Sequence, residues 1–274
     1  MTRLVAVPNV SEGRDEGVLD AIGAAFATHA DVLHRTADPD HHRAVFFLSG
    51  VPGELHLALA AGAREAAARI DLRRHAGVHP RVGALDVAPV VFLEAAGRGA
   101  AIAEALLTAD AIGREGIPVY LYGELAGGRT RAALRRPGGL DGVAPDYGPS
   151  EPHPTAGATL VAARPLLVAF NLVLAPPATL EAARAIAAEL RAELPGVRAL
   201  GLRLERQQLV QVSTNLEDHR AVACADVLAA VQRRHAVRAG ELVAPAPAAA
   251  LAGWPAGVPL AAPPTIEALL GRYR

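Results

Sequence analysis

The chain has 274 residues, 51% hydrophobic but only 4% aromatic, with 27 basic and 28 acidic residues and a formal net charge of −1. That length suits one large domain or two small ones around an aliphatic core, which excludes global disorder, and the charge balance suggests neither a nucleic-acid nor an anionic-membrane partner. Every one of the 27 Lys+Arg positions is arginine, so Schiff-base lysines and P-loop lysines are excluded, and the planar guanidinium fork remains for binding carboxylates.

"RLVAV" (Arg3 to Val7) reads as a buried strand closed by Pro8. "VSEGRDEGVLDAIGAAFA" reads as a helix with Ser11 as N-cap and Val18, Leu19, Ile22 and Phe26 on its apolar face. "DVLHRT" is a strand, "ADPDHH" a polar loop and "AVFFLSG" a strand; "PGELHLALAAGAREAAARI" is an alanine-rich helix. After the polar stretch "IDLRRHAGVHPRVGALD" come the strand "LDVAPVVFL", the helix "GAAIAEALLTADAIGRE" and the strand "IPVYLYGEL". Helices alternating with strands suggest layered α/β or α+β packing. The segment "RTRAALRRPGGLDGVAPDYGPSEPHPTAGA" interrupts this order with Gly and Pro, and reads as a linker or a functional loop. The second half restarts with two strands around Arg164 and Pro165 in "ATLVAARPLLVAFNLVL". A helix in "PPATLEAARAIAAELRAEL" takes proline in its first turn, and "VRALGLRLERQQLVQVSTNL" is a hairpin turning near Arg206 and Gln207. "EDHRAVACADVLAAVQRRHA" is a helix holding the single cysteine, Cys224, which reads as a buried structural thiol. "ELVAP" is a strand, and a Pro/Ala-rich stretch leads to a short terminal helix in "PTIEALLGRYR". The N-terminal apolar run is too short for a signal peptide and no apolar stretch is long enough to span a bilayer, so a soluble cytoplasmic protein is expected.

Three polar places stand out. His75 and His79 have the four-residue spacing that pairs imidazoles on a helix face, but Gly77 between them and Pro80 after them argue against a helix, and Ala76 stands where zinc peptidases need glutamate. "DPDHH" (Asp38 to His42) offers metal-type donors, but no catalytic metal is expected. No serine sits in a nucleophile elbow and no dinucleotide fingerprint is present. What remains is a neutral histidine acting as a base: His79, stiffened by Pro80, with Arg81 near it for an anionic group. In "ADPDHHRAV", Arg43 is placed to clamp a carboxylate and His41 or His42 to donate hydrogen bonds. In "DYGPSEPHPTAGATLVAARP", Pro149, Pro152 and Pro154 with Gly148 and Gly157 make a stiff polar loop able to line a cleft. From residues alone, each of the three is equally readable as a solvated loop or linker.

Taken in order, "VPNVSEGRD", "IDLRRHAGVHPRVGALDV", "IPVYLYGE", "PDYGPSEPHPTAGATLVAARPLLVAFN" and "QVSTNL" resemble the motifs of glutamate formiminotransferases, up to the Pro/Ala stretch. The resemblance implies transfer of a formimino group from N-formimino-L-glutamate to N5 of tetrahydrofolate in histidine degradation. Tetrahydrofolate is then a co-substrate, and no metal is implied. It implies an α+β fold of two ferredoxin-like-type subdomains with a ligand groove between them, expected at residues 1–150 and 151–244, followed by a Pro/Ala-rich tail over 245–274. The helical cyclodeaminase domain of the vertebrate enzyme is expected to be absent, and a homodimer is expected. The catalytic histidine of the family falls on His79. Its folate-binding segment falls on Gly148, Pro149, Ser150, Glu151, Pro152, His153, Pro154, Thr155, Ala156 and Gly157. His42, Arg43 and Arg81 are the expected substrate-binding residues. Three positions depart from the family pattern: His42 stands for asparagine, Val78 for glutamate and Val10 for phenylalanine. Close rivals are transfer of a formyl group between 5-formyltetrahydrofolate and glutamate, and folate binding without catalysis; a metallohydrolase is a more distant one.

Overall fold

The computed structural model describes residues 3–271; Met1, Thr2 and the last three residues of the expected terminal helix, Arg272 to Arg274, lie outside the described residues. The chain divides into two compact α+β units that meet at Pro165 and Leu166.

The first unit contains β1 (Leu4–Ala6), β2 (Asn9–Val10), α1 (Glu16–Phe26), β3 (Asp31–Asp38), β4 (Arg43–Gly50), α2 (Leu55–Arg69), β5 (Leu85–Phe92), α3 (Arg98–Arg114), β6 (Val119–Leu121), α4 (Arg131–Arg135) and β7 (Thr159–Pro165). β1 and β2 fill one slot between β4 and β5, to which both are antiparallel. Counting them as one strand gives a βαββαβ unit ordered β3, β4, β1/β2, β5, the ferredoxin-like arrangement. It is extended at β5 by β7 and then β6, both parallel.

Residues at helical spacing decide which face of the sheet is covered. Leu19, Ile22 and Phe26 of α1, Leu55, Leu59 and Ala63 of α2, and Ala101, Ala105 and Ile112 of α3 share one core with Phe46, Leu48 and Val90 of the strands. α2 approaches α1 closely because Gly62 has no Cβ: one placed there would run into the Phe26 ring. The cap of α1 is Asp15, whose Oδ1 accepts from the Val18 N–H at 3.0 Å. Ser11, the expected cap, instead donates its hydroxyl to the Gly83 carbonyl at 2.7 Å while its N–H donates to Ala84 O at 2.8 Å. It stitches the β2–α1 connection to the loop before β5.

α2 has no side-chain cap of its own. The buried carboxylate of Glu104, from α3, accepts from the N–H groups of Gly53 (2.6 Å) and His56 (2.7 Å) and from His56 Nδ1 (3.0 Å). These are orphan donors of a helix start, and the bonds are charge-assisted. Glu104→Ala is therefore expected to lower stability by about 2 kcal/mol, read as a denaturant midpoint, and Glu104→Gln by less. Equal midpoints for wild type and Glu104→Ala would refute this capping role.

The opposite face of the sheet is dressed differently. Tyr120, Tyr122, Leu160 and Ala162 form a smaller cluster closed by Leu134 of α4. α4 is a single turn capped by Thr130, whose hydroxyl accepts from Ala133 N–H at 3.1 Å.

The second unit contains β8 (Val168–Leu174), α5 (Leu180–Glu193), β9 (Val197–Leu204), β10 (Leu209–Leu216), α6 (Cys224–Gln232), β11 (Val237–Leu242), β12 (Leu260–Ala261) and α7 (Ile266–Leu270). Its sheet order, β12, β11, β8, β10, β9, again contains the ferredoxin-like pattern. Phe170, Leu172 and Val212 of the sheet pack on Ile186, Leu190, Val227 and Val231 of the helices. The Cys224 thiol is buried there and burial pushes its pKa up to about 12, which leaves it protonated and unreactive.

Four sequence expectations move. The boundary lies at 165/166 rather than 150/151, because β7 hydrogen-bonds to β5 and β6 in the first sheet and does not form a hairpin with β8. Pro176 and Pro177 precede α5, whose N-cap is Thr179. The helix expected over 217–236 is confined to α6, since 218–222 forms turns. The Pro/Ala-rich stretch packs as part of the second unit, with β12 pairing β11 and Ala250 buried. No helix among the described residues is long and apolar enough to cross a membrane.

Candidate active site

The connection from α2 to β5 carries His75, His79 and Arg81, and hydrogen bonds tie it to the Gly/Pro loop ahead of β7. Leu72 N–H donates to Thr155 O, Ala84 N–H to Ala156 O and Ala158 N–H to Val82 O, at 2.8, 2.8 and 3.0 Å. Gly83 and Gly157 bridge each other, and a Cβ on Gly83 would strike the Ala158 carbonyl, so two backbones touch here. Gly157 itself adopts φ of 68°, a left-handed conformation that glycine takes without steric cost. Within the loop, His153 and Gly157 exchange backbone bonds of 2.8 and 2.9 Å, while His153 Nδ1 accepts from Ala156 N–H at 3.1 Å. Gly148 to Pro152 remain exposed. The two separate motifs thus form one structural piece of the first unit.

His79 is half-buried, and its Nδ1 lies 2.7 Å from the Pro80 carbonyl oxygen. A carbonyl only accepts, so Nδ1 carries the hydrogen and the ring's lone pair is on Nε2. Burial, then the neighbouring guanidiniums of Arg43 and Arg135, hold the imidazole well below its usual pKa. The ring is therefore neutral at pH 7, with Nε2 available to accept a proton. The His41 ring is 6.1 Å away, centroid to centroid, and its Nδ1 is 3.0 Å from Asp38 Oδ1.

Arg43, at the start of β4, donates from Nε to Asn9 Oδ1 (3.0 Å) and from Nη1 to Asp86 Oδ2 (2.6 Å); Nη2 makes no hydrogen bond among the described residues. Asp86 is fully buried where the register of β5 against β2 shifts: Asn9 faces Val87 and Val10 faces Leu85, which leaves Asp86 in a bulge. It accepts from Arg43, Arg135 and the Val82 N–H. Burial alone would raise this carboxyl, but Arg135 and Arg43 hold it far below the usual carboxylate range. Burial, against the pull of Asp86, lowers Arg43 to about 10, and the like charges of Arg135 and Arg131 add to that.

Arg81 hydrogen-bonds within its own loop. Its Nη1 donates to the carbonyls of Gly77 and His79 (3.2 Å each) and its Nη2 to that of His75 (3.0 Å). The guanidinium braces the loop that presents His79. His42 has φ of 50°, in the left-handed region that residues other than glycine enter uncommonly, histidine with asparagine and aspartate more often than the rest. It is held there by stacking on His75 at 4.1 Å, by His75 Nε2–H donating to the His42 carbonyl at 3.0 Å, and by Nε2 facing Glu12 Oε1 at 3.0 Å. Burial would raise the Glu12 carboxyl, but backbone N–H groups of Arg14, Asp15 and Gly13, with His42, carry it below normal. Burial lowers His42 and takes His75 to about 4. The pair therefore meets Glu12 as neutral rings, with His42 Nε2–H donating. Val78 is exposed at 40%, and Val10 is buried in the core.

Asp86 and Arg135, which sequence reading did not single out, join the site, and Arg131, on the same helix as Arg135, stands by Tyr122 and Arg164. Arg131 and Arg135 are four apart in α4, hence on one side of the helix. Arg164 alternates with Leu160 and Ala162 along β7 and so shares their face.

Residues 3–164 match the formiminotransferase domain, N-terminal subdomain. Among curated proteins, the formimidoyltransferase-cyclodeaminase of Sus scrofa is 38% identical over 246 residues, which cover 80% of this chain and 44% of that protein. The glutamate formimidoyltransferase of Streptococcus pyogenes serotype M1 is 35% identical over 234 residues, 79% of this chain and 78% of that protein. That of Thermoplasma acidophilum is 34% identical over 239 residues, with shares of 80% and 78%. The chain spans less than half the length of the two-function relatives it matches.

Proposed function

Because the chain belongs to the formiminotransferase family, we propose that it transfers the formimino group of N-formimino-L-glutamate to N5 of tetrahydrofolate, with His79 as general base. One observation carries the base assignment: the Pro80 carbonyl fixes the hydrogen on Nδ1, so the basic nitrogen is Nε2, on a ring kept neutral by burial and by Arg43 and Arg135. In the reaction, N5 of tetrahydrofolate bonds to the formimino carbon and its proton passes to Nε2. The resulting imidazolium returns that proton to the glutamate nitrogen as the carbon–nitrogen bond breaks, and 5-formiminotetrahydrofolate and glutamate leave. Arg43 and Arg135 beside the ring favour a neutral base before the step and an early return of the proton after it.

Both substrates are carboxylates, and the charge balance around His79 suits them: Asp86 faces Arg43 and Arg135 together. Arg43, through Nη2, is the substrate clamp in this reading; His42 shapes the loop edge with Glu12, and Arg81 positions the base. Gly148 to Gly157 is the folate segment, supported by its backbone ties to the His79 connection. The same reading assigns a cytoplasmic homodimer in histidine degradation, supported by the family resemblance.

Purified protein given tetrahydrofolate and formiminoglutamate is expected to form 5-formiminotetrahydrofolate. Saturable folate binding with no consumption of formiminoglutamate would replace the enzyme with a binding protein.

A further inference from the structure

Beyond His79, the sheet face carries positive charge that no carboxylate among the described residues pairs with. Arg131 makes no ion pair or hydrogen bond among the described residues; its guanidinium carbon lies 5.7 Å from the centroid of the Tyr122 ring. Arg164 donates from Nη1 to the Pro165 carbonyl at 2.9 Å, and its Nε is buried without a partner. Its guanidinium lies beside the Tyr122 hydroxyl, a contact that offsets only part of the lowering that burial imposes on Arg164. Tyr122 is 5% exposed, and apart from Arg164 its buried hydroxyl meets no hydrogen-bond partner among the described residues. A buried hydroxyl short of partners costs free energy, as does a half-buried cation without an anion. Here one hydroxyl and two cations converge in one place, with Leu134, Leu160 and Ala162 as the apolar floor. The surplus also reaches Arg43 and Arg164, each of which feels the repulsion of Arg131.

Register sets Arg164, at the far end of this cluster, apart from Asp86. Val87 pairs Leu160 and Val91 pairs Arg164, so Arg164 stands five residues along β5 from Asp86, about 16 Å of strand.

We infer that Arg131, Arg164 and Tyr122 form a second carboxylate-binding subsite on the first unit, separate from the Arg43–Asp86–Arg135 group next to His79. The inference rests on the formimino-transfer reading for the identity of the ligand. Two sources present such a carboxylate: the one-carbon donor, through the end remote from its formimino group, and the glutamate tail of the folate. The distance along the strand favours the folate tail, because its aromatic spacer separates that carboxylate from N5.

The test compares wild type, Arg131→Gln, Arg164→Gln and Tyr122→Phe by calorimetric binding of L-glutamate and of 5-formyltetrahydrofolate, alongside the KM for each substrate. Tyr122→Phe guards against misfolding, since deleting a buried hydroxyl short of partners is neutral or stabilising in the free protein. The arginine variants are expected to weaken one probe by about 10- to 100-fold, the worth of a charge-assisted bond, and Tyr122→Phe to weaken the same probe by a few-fold while the melting temperature holds. Loss confined to 5-formyltetrahydrofolate assigns the subsite to the folate tail, and loss confined to L-glutamate assigns it to the donor. Both affinities unchanged within twofold in all three variants, with melting temperature raised in Tyr122→Phe, would overturn the subsite. A wild type that binds the probes but shows no turnover would defeat the formimino-transfer reading and still leave this test standing.

Discussion

Replacing His79 with asparagine is expected to cut turnover by about 10²- to 10⁴-fold, the usual worth of a positioned general base, and to change the affinity for 5-formyltetrahydrofolate only a few-fold. Asparagine is a demanding substitution here. Its amide N–H still donates to the Pro80 carbonyl, so the loop keeps its anchor, but the side chain has no basic nitrogen to take the place of Nε2. The loss belongs in kcat rather than in KM, because the interaction removed is made while the proton moves. The pH dependence gives an independent reading. Burial, then Arg43 and Arg135, hold the His79 pKa well below 6.5, so the ring is neutral at pH 7 and its acid limb in kcat/KM lies below the ordinary histidine value. An acid limb centred at or above the ordinary value, or a His79→Asn variant with wild-type kcat, would remove His79 from the chemistry.

Much of the fold was legible because periodicity and punctuation agree in it. Leu19, Ile22 and Phe26 announce the buried stripe of α1, and the Arg206–Gln207 turn separates β9 from β10 where the pattern changes. The errors have a common physical origin: a local signal was outweighed by a partner distant in sequence. Ser11 has the chemistry of a cap, but the Gly83 carbonyl lies within its reach and Asp15 stands at the helix start. "ATLVAARPLLVAFNLVL" reads as two strands around Arg164 and Pro165, but no periodicity within seven residues says which sheet a strand joins: the first pairs with β5 and β6 and the second with β10. At the site, the motif order located the His79 connection and the Gly/Pro loop, but not that Leu72, Val82 and Ala84 bond the two together. Arg81 reads as a cation near His79 for an anionic group, and only the path of the loop shows the three carbonyls that accept from it. The Arg131–Arg135 spacing was a usable signal, hidden in a stretch whose Gly and Pro content reads as irregular; α4 forms there through its Thr130 cap and the docking of Leu134.

The largest stability effect is expected at Asp86. Asp86→Ala removes the carboxylate that faces both Arg43 and Arg135 and leaves two guanidiniums in a buried place with no anion, a change that costs about 3–5 kcal/mol. Domains of ordinary stability have about 5–15 kcal/mol in all, so the variant is expected to unfold at a much lower denaturant concentration or to fail to accumulate. The sign of the pH effect follows from the direction of the shift. The folded carboxyl titrates below the unfolded value near 3.8, so its contribution is complete above that value and is lost as the pH falls further, when the folded group takes up a proton. Asp86→Asn flattens that acid limb because it has no proton to gain. Asp86→Asn combined with Arg135→Leu is expected to be less destabilised than the sum of the two single variants, since the second change removes one of the stranded charges. Strict additivity would show that the pair is not coupled. A buried ion pair of this kind is weak grounds for stability by itself, since well-packed apolar residues often do as well. Its placement gives it another use: Oδ1 holds the Val82 N–H at 2.8 Å and Oδ2 holds Arg43, so one carboxylate fixes both the end of the His79 connection and the proposed clamp. Under conditions where Asp86→Asn still folds, the geometry therefore predicts that kcat falls along with stability, because the base and the substrate carboxylate lose their common reference point.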